Sequence, residues 1–155
     1  MRSGMGSDSH TVEPSDPQAR ALRELTHAPD QAGTLLRAVS EALPDPVFVK
    51  DRAGRWVFAN DATLRVVRRT AEQVFGRTEA EIYDDAATAT TIMANDARIM
   101  ASGLPETVEE RVETGGRVRW FLSTKSPFRD DRGEVVGLVG VARDISARKR
   151  PEEAR

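Results

Sequence analysis

Cysteine is absent from the 155 residues, which excludes disulfide scaffolds, thiolate metal sites, thiol nucleophiles and cysteine-linked chromophores. Histidine is nearly absent as well. His10 and His27 are the only two, so the chain beyond residue 27 offers no imidazole for metal ligation or acid-base work. No apolar run approaches the ~20 residues of a membrane-spanning helix, and residues 1–17 lack the apolar stretch of a signal peptide. A cytoplasmic location is the expectation. Neither sign of charge dominates: 23 Lys and Arg stand against 25 Asp and Glu, interspersed along the chain. That balance gives no electrostatic footprint for nucleic acid or an anionic membrane. There is no internal repeat, phosphate-binding loop or nucleophile motif either.

What remains is one ordinary domain with extensions. Residues 1–15 carry almost no large apolar side chains and read as a disordered leader. Residues 16–45 read as a helical extension. Asp16-Pro17 opens a short helix bearing Leu22 and Leu25. Asp30 caps a second, amphipathic helix in which Leu35, Leu36, Val39 and Leu43 form a stripe that ends at Pro44-Asp45-Pro46. From residue 46 the period changes. Val47-Phe48-Val49 and Trp56-Val57-Phe58 predict a hairpin whose turn, Asp51-Arg52-Ala53-Gly54, uses the positive φ that Gly54 tolerates. Asn60 stands where an N-cap belongs, ahead of a helix over 61–68. Thr70 with Gln73 and Thr78 with Glu81 have capping-box spacing and predict further short helices. A longer helix is expected over 87–101, with Ile92, Met93, Ile99 and Met100 on an apolar face interrupted by Asp96, ending at Gly103 and Pro105. Three strands follow. Val108 and Val112 lie among charges, Val118, Trp120, Leu122 and Thr124 alternate with Arg119, Phe121, Ser123 and Lys125, and 135–142 is apolar. Strand pair, helices, three strands: this order gives a mixed α+β domain with an antiparallel sheet.

These residues resemble the PAS domain family over about 35–146. The likeness rests on Asp45-Pro46-Val47-Phe48-Val49-Lys50-Asp51-Arg52-Ala53-Gly54, Val57-Phe58-Ala59-Asn60, the Gly76-Arg77-Thr78 turn with Glu81-Ile82, the strand 120–128, and 133–146 closing in Asp144-Ile145-Ser146. The resemblance implies a five-stranded antiparallel sheet over 46–146 flanked by several short helices and enclosing a small pocket. It places Phe48, Phe58, Ile82, Tyr83, Ile92, Met93, Phe121 and Leu138 on elements that wall that pocket. Arg98, Asn95 and Asp96 could present polar groups there.

The resemblance also implies a sensory or interaction module of signal transduction, as in two-component systems, without catalysis. Its signal would leave through Asp144, Ile145 and Ser146 into a helical linker or tail at 147–155, where Pro151 is expected to kink or stop the helix. The output partner would be a histidine kinase or a diguanylate cyclase, in cis or in trans. A homodimer could form through Leu35, Leu36, Val39 and Leu43. Haem-binding members use a histidine on the long helix, which has none here; Met93 and Met100 read as core rather than iron ligands. Cysteinyl-flavin is excluded, while a non-covalent flavin or a small metabolite remains open. No metal site is expected. The competing reading is a small α+β enzyme with an acid-base site built from Asp84, Asp85, Asp96 and Tyr83.

Overall fold

The computed structural model describes residues 30–153. The expected leader, the short helix with Leu22 and Leu25, and both histidines lie outside the described residues. Helix α1 (Asp30–Ala42) leads into strands β1 (Val47–Asp51) and β2 (Trp56–Ala59). Helices α2 (Asp61–Val67), α3 (Ala71–Val74), α4 (Glu79–Ile82) and α5 (Ala86–Ser102) follow. Strands β3 (Glu106–Thr114), β4 (Arg117–Arg129) and β5 (Val135–Asp144) then precede α6 (Ser146–Glu153). The five strands form one antiparallel sheet in the order β2-β1-β5-β4-β3. This is the expected α+β architecture.

Local chemistry sets the boundaries. The Asn60 side chain accepts from the Thr63 amide at 3.0 Å and starts α2. Gln73 Oε1 accepts from the Thr70 amide at 2.9 Å, and Glu81 Oε1 from the Thr78 amide at 3.4 Å, which satisfies donors at the starts of α3 and α4. Asp85 Oδ2 accepts from the Thr88 amide at 3.0 Å and the Thr88 hydroxyl at 2.6 Å, capping α5. Gly103 ends α5 in the left-handed conformation at φ 71°.

A bulge in β2 decides which side chains face the helices. Val49 pairs with Phe58 and Lys50 with Trp56, which leaves Val57 without a partner between them. Phe48, Lys50 and Trp56 therefore share the helix-facing side. Phe58 turns to the other side, among Val47, Val49, Val57 and Val139. On the helix-facing side, Phe48, Trp56, Phe121 and Val112 pack with Val67, Val74, Ile82 and Ile92. Helix α5 lies across β3, β4 and β5, where Ile99 and Met100 cover Leu138 and Val135. Fully burying each such side chain contributes about 1.5–3 kcal/mol.

In β4 the alternation resolves against hydropathy. Phe121, Ser123 and Lys125 are buried, while Trp120 and Leu122 are only half-buried and Thr124 is exposed. On α1 the expected stripe is uncovered: Leu35, Leu36, Val39 and the following Leu43 are 36% to 65% exposed. Helix α6 also runs on through Pro151 to Glu153, so of the expected kink or stop the stop does not occur. Proline's fixed φ is helical, and this close to the helix end its missing N–H costs one hydrogen bond, to the Ala147 carbonyl.

Candidate functional site

Beneath α4 and α5 the sheet carries a group of buried charges. Lys50 on β1 and Lys125 on β4 are 1% and 0% exposed. Lysine is almost never fully buried unless paired, and both are. Asp96, from the middle of α5, spans them: Oδ2 accepts from Lys50 Nζ at 2.6 Å and Oδ1 from Lys125 Nζ at 2.7 Å. Lys125 also donates to Glu110 Oε2 on β3 at 2.6 Å, and Lys50 pairs with Glu79 Oε1 on α4. Neutral donors complete the set. The Trp56 indole N–H donates to Glu79 Oε1 at 3.0 Å, and Asn95 Nδ2 to Glu110 Oε2 at 3.1 Å. The five ionic groups come from β1, β3, β4, α4 and α5, so the cluster ties the helical layer to three strands.

The electrostatics follow from this geometry. Burial alone pushes the Asp96 carboxyl up, but the flanking ammonium groups of Lys50 and Lys125 hold it below its ordinary value. Burial pulls the Lys50 ammonium down, and the carboxylates of Glu79 and Asp96 outweigh that and raise it. Burial raises the Tyr83 phenol; the neighbouring Lys50 opposes this, and the carboxylates of Glu79, Glu110 and Asp96 add to it. Glu79 Oε2 is buried and has no hydrogen-bond partner among the described residues.

The cluster forms part of the wall of a cavity of about 40 Å³, enough for a few water molecules. Glu79, Glu110, Lys50, Lys125, Tyr83 and Ser123 give it a polar side; Phe48, Trp56, Ile92, Val112 and Phe121 give it an apolar one. Phe48 and Trp56 stack at 5.9 Å between ring centroids. The Lys50 ammonium sits 5.0 Å and 5.3 Å from those centroids, within cation–π range. Gly140 is what makes room for Phe48, because a Cβ there would collide with the ring.

Of the eight residues expected on the pocket, Phe48, Tyr83, Ile92 and Phe121 line this cavity. The other four do not. Phe58 is carried to the opposite side of the sheet by the bulge at Val57, Ile82 packs into the core, Leu138 is sealed by Ile99 and Met100, and Met93 lies half-buried on α5 away from the lining. Asn95 and Asp96 serve the ion cluster, whereas Arg98 pairs with Glu106 at the surface at 2.7 Å. The four residues of the enzyme reading do not assemble: Asp85 caps α5, Asp84 is exposed beside Arg69, and only Asp96 and Tyr83 reach the cluster. Among the described residues no group of acidic or histidine side chains could hold a metal ion. The sequence reading missed Lys50, Lys125, Glu79 and Glu110 as site residues. The available signals were Lys50 two positions after Phe48, Lys125 in phase with Phe121, and Asp96 in the apolar face of the long helix.

At the other end of β4 the chain leaves the domain. The Ile145 amide donates to the Trp120 carbonyl at 2.8 Å, the Trp120 amide to Ser146 Oγ at 3.0 Å and the Ser146 amide to Asp144 Oδ1 at 2.8 Å. Lys149 on α6 lies 5.0 Å over the Trp120 ring and pairs with Glu109 at 2.6 Å. The start of α6 is thus fastened to β3 and β4.

Comparison with known proteins agrees with this architecture. A family profile described as the PAS fold matches residues 40–150. The methanogenesis regulatory histidine kinase FilI of Methanothrix harundinacea is 35% identical over 71% of this chain and 12% of its own length. A diguanylate cyclase of Vibrio cholerae is 34% identical over 64% of this chain and 32% of its own. The chain therefore spans between about an eighth and a third of these two curated relatives. Among solved structures, the PAS domain of Bordetella pertussis BvgS superposes with a TM-score of 0.66 at 30% identity, covering 82% of this chain and 93% of that one.

Proposed function

The chain belongs to the PAS fold family, and from that premise we propose that it is a sensory module that binds a small ligand in the cavity beneath α4 and α5 and passes the change through Asp144, Ile145 and Ser146 to an output partner, without catalysis. One observation carries this reading: a buried carboxylate oxygen, on Glu79, that lacks a partner in a cavity otherwise built from satisfied charges. A buried acceptor left unsatisfied costs about 1–3 kcal/mol, and a bound donor removes that cost. The cavity volume suits a small metabolite better than a flavin or a haem. Lys125 and Trp120 are on one strand, β4, with Phe121 between them, and Trp120 bonds to both Ile145 and Ser146 of the exit, so a shift of β4 at the cavity reaches α6. The kinase and cyclase relatives support an output of that kind, in cis or in trans. The location we propose is the cytoplasm; no described helix is long and apolar enough to cross a membrane. The reading is tested by native mass spectrometry of protein isolated gently from its source, which should carry a stoichiometric small molecule.

The uncovered stripe on α1 supports a homodimer as part of the same proposal. Leu35, Leu36 and Val39 would pack against their copies and remove exposed apolar surface from water. Light scattering on the wild-type chain should give a dimer, and Leu36→Asp should give a folded monomer. A monomeric wild type would remove dimerisation from the account.

A further inference from the structure

The three carboxylates of Asp96, Glu79 and Glu110 face two ammonium groups, Lys50 and Lys125, which leaves one negative charge in excess inside the domain. Asp96 accepts an ammonium group on each of its oxygens, and Glu110 Oε2 accepts from Lys125 and Asn95. Glu79 spends Oε1 on both the Trp56 indole and Lys50, while Oε2 has no partner among the described residues and Glu79 lines the cavity. A water molecule would satisfy the oxygen and leave the charge; an anion would add to it. Beside it stand the ring faces of Phe48 and Trp56, already close enough to one ammonium group to attract it. We propose that the cavity's ligand is a compact organic monocation with N–H donors, of the amidine or primary amine class, bound through Glu79 Oε2 with its apolar part against Phe48, Ile92 and Phe121. This rests on the reading of the cavity as a ligand site and specifies its chemistry. The cavity of about 40 Å³ limits the buried part of the ligand to a few heavy atoms.

Three probes of nearly one shape separate charge from size: acetamidinium, acetamide and acetate. The readout is the indole N–H resonance of Trp56, whose hydrogen bond goes to Glu79, with the Trp120 indole, the second of the two tryptophans, as an internal reference. In the full chain, acetamidinium should shift the Trp56 signal saturably with a Kd at least about tenfold below that of acetamide, acetate should leave it in place, and Trp120 should move less. Glu79→Gln keeps an acceptor for the indole but removes the charge, so it should weaken acetamidinium at least about tenfold and leave acetamide within about threefold. If that variant does not fold, the charge order in the wild-type protein still decides. Equal binding of acetamide, or binding of acetate, overturns the cationic class while leaving a ligand site in place. A Trp56 signal that none of the three moves, in a protein whose co-purified molecule carries no cationic nitrogen, also overturns the class alone. The same silence in a protein that carries nothing overturns both the class and the ligand-site reading.

Discussion

Asp96→Asn should lower the unfolding free energy at neutral pH by about 3–5 kcal/mol, because removing one partner from a buried ionic group leaves the opposite charge uncompensated. Asp96 links the two lysines: its two oxygens each hold one ammonium group, at 2.6 Å and 2.7 Å. An amide keeps one acceptor and turns N–H donors toward the second lysine. Against a total stability of about 5–15 kcal/mol for a domain of this kind, the variant stays folded but marginal. Asp84→Asn is the control. Its side chain is 94% exposed, and such a change should stay within about 0.5 kcal/mol. Urea unfolding of the three proteins checks this, and equal midpoints would remove the ion cluster from the account of stability. The sign of the pH dependence follows from the same contacts. The Asp96 carboxyl is held below its ordinary 3.8 in the folded state, so the unfolded chain binds its proton first as pH falls. Its contribution is present above about pH 3.8 and disappears below it. Lys50 is raised above its ordinary 10.5, so its contribution is complete below pH 10.5 and is lost as pH rises beyond. The gap between wild type and Asp96→Asn should therefore hold from pH 5 to 9 and narrow toward pH 3.

Asn60→Ala should be comparably costly, at about 3–5 kcal/mol, for a reason that has nothing to do with charge. Asn60 is buried, and among the described residues its side chain makes five hydrogen bonds. Oδ1 accepts from the Val47 amide at 3.0 Å, the Thr63 amide at 3.0 Å and the Thr63 hydroxyl at 2.8 Å. Nδ2 donates to the Ser40 carbonyl at 3.0 Å and the Asp45 carbonyl at 2.9 Å. One residue thus fixes the end of α1, the start of β1 and the N-terminus of α2. Alanine removes the helix cap and leaves several buried backbone groups without partners. Asp85→Ala removes an ordinary, more exposed cap and should cost about 1 kcal/mol. Asn60→Asp separates the two halves of the role, since it keeps the acceptor and loses the donors to Ser40 and Asp45; it should fall between the two. Thermal and chemical unfolding of the three variants gives the order, and an Asn60→Ala cost no larger than that of Asp85→Ala would contradict it.

Those two residues show what was legible in the sequence. Asn60 is recognisable as an N-cap from its place between a β-rich run and a helix, but its bonds to Ser40, Asp45 and Val47 depend on how α1 and β1 come together in space. Asp96 is visible as a break in an apolar face. Its meaning becomes clear only when β1 and β4 bring Lys50 and Lys125 beneath it. The helix expected over 87–101 is found at Ala86–Ser102, because caps and terminators are local chemistry. Phe58 shows the limit of period-two reasoning: a single extra residue at Val57 reverses the side of everything after it in β2. Lys125 shows another, since alternation gives two faces without saying which is buried, and hydropathy favours the wrong one when the buried face is ionic.

The central claim is that the cavity holds a ligand that this domain senses. It is tested most directly by native mass spectrometry on wild-type protein isolated from its source, alongside Gly140→Ala, whose added methyl group would collide with the ring of Phe48, part of the cavity wall. The account predicts one small molecule per folded wild-type chain and little or none on the folded variant. Wild-type protein that carries no molecule, or an adduct retained equally by both proteins, would contradict it.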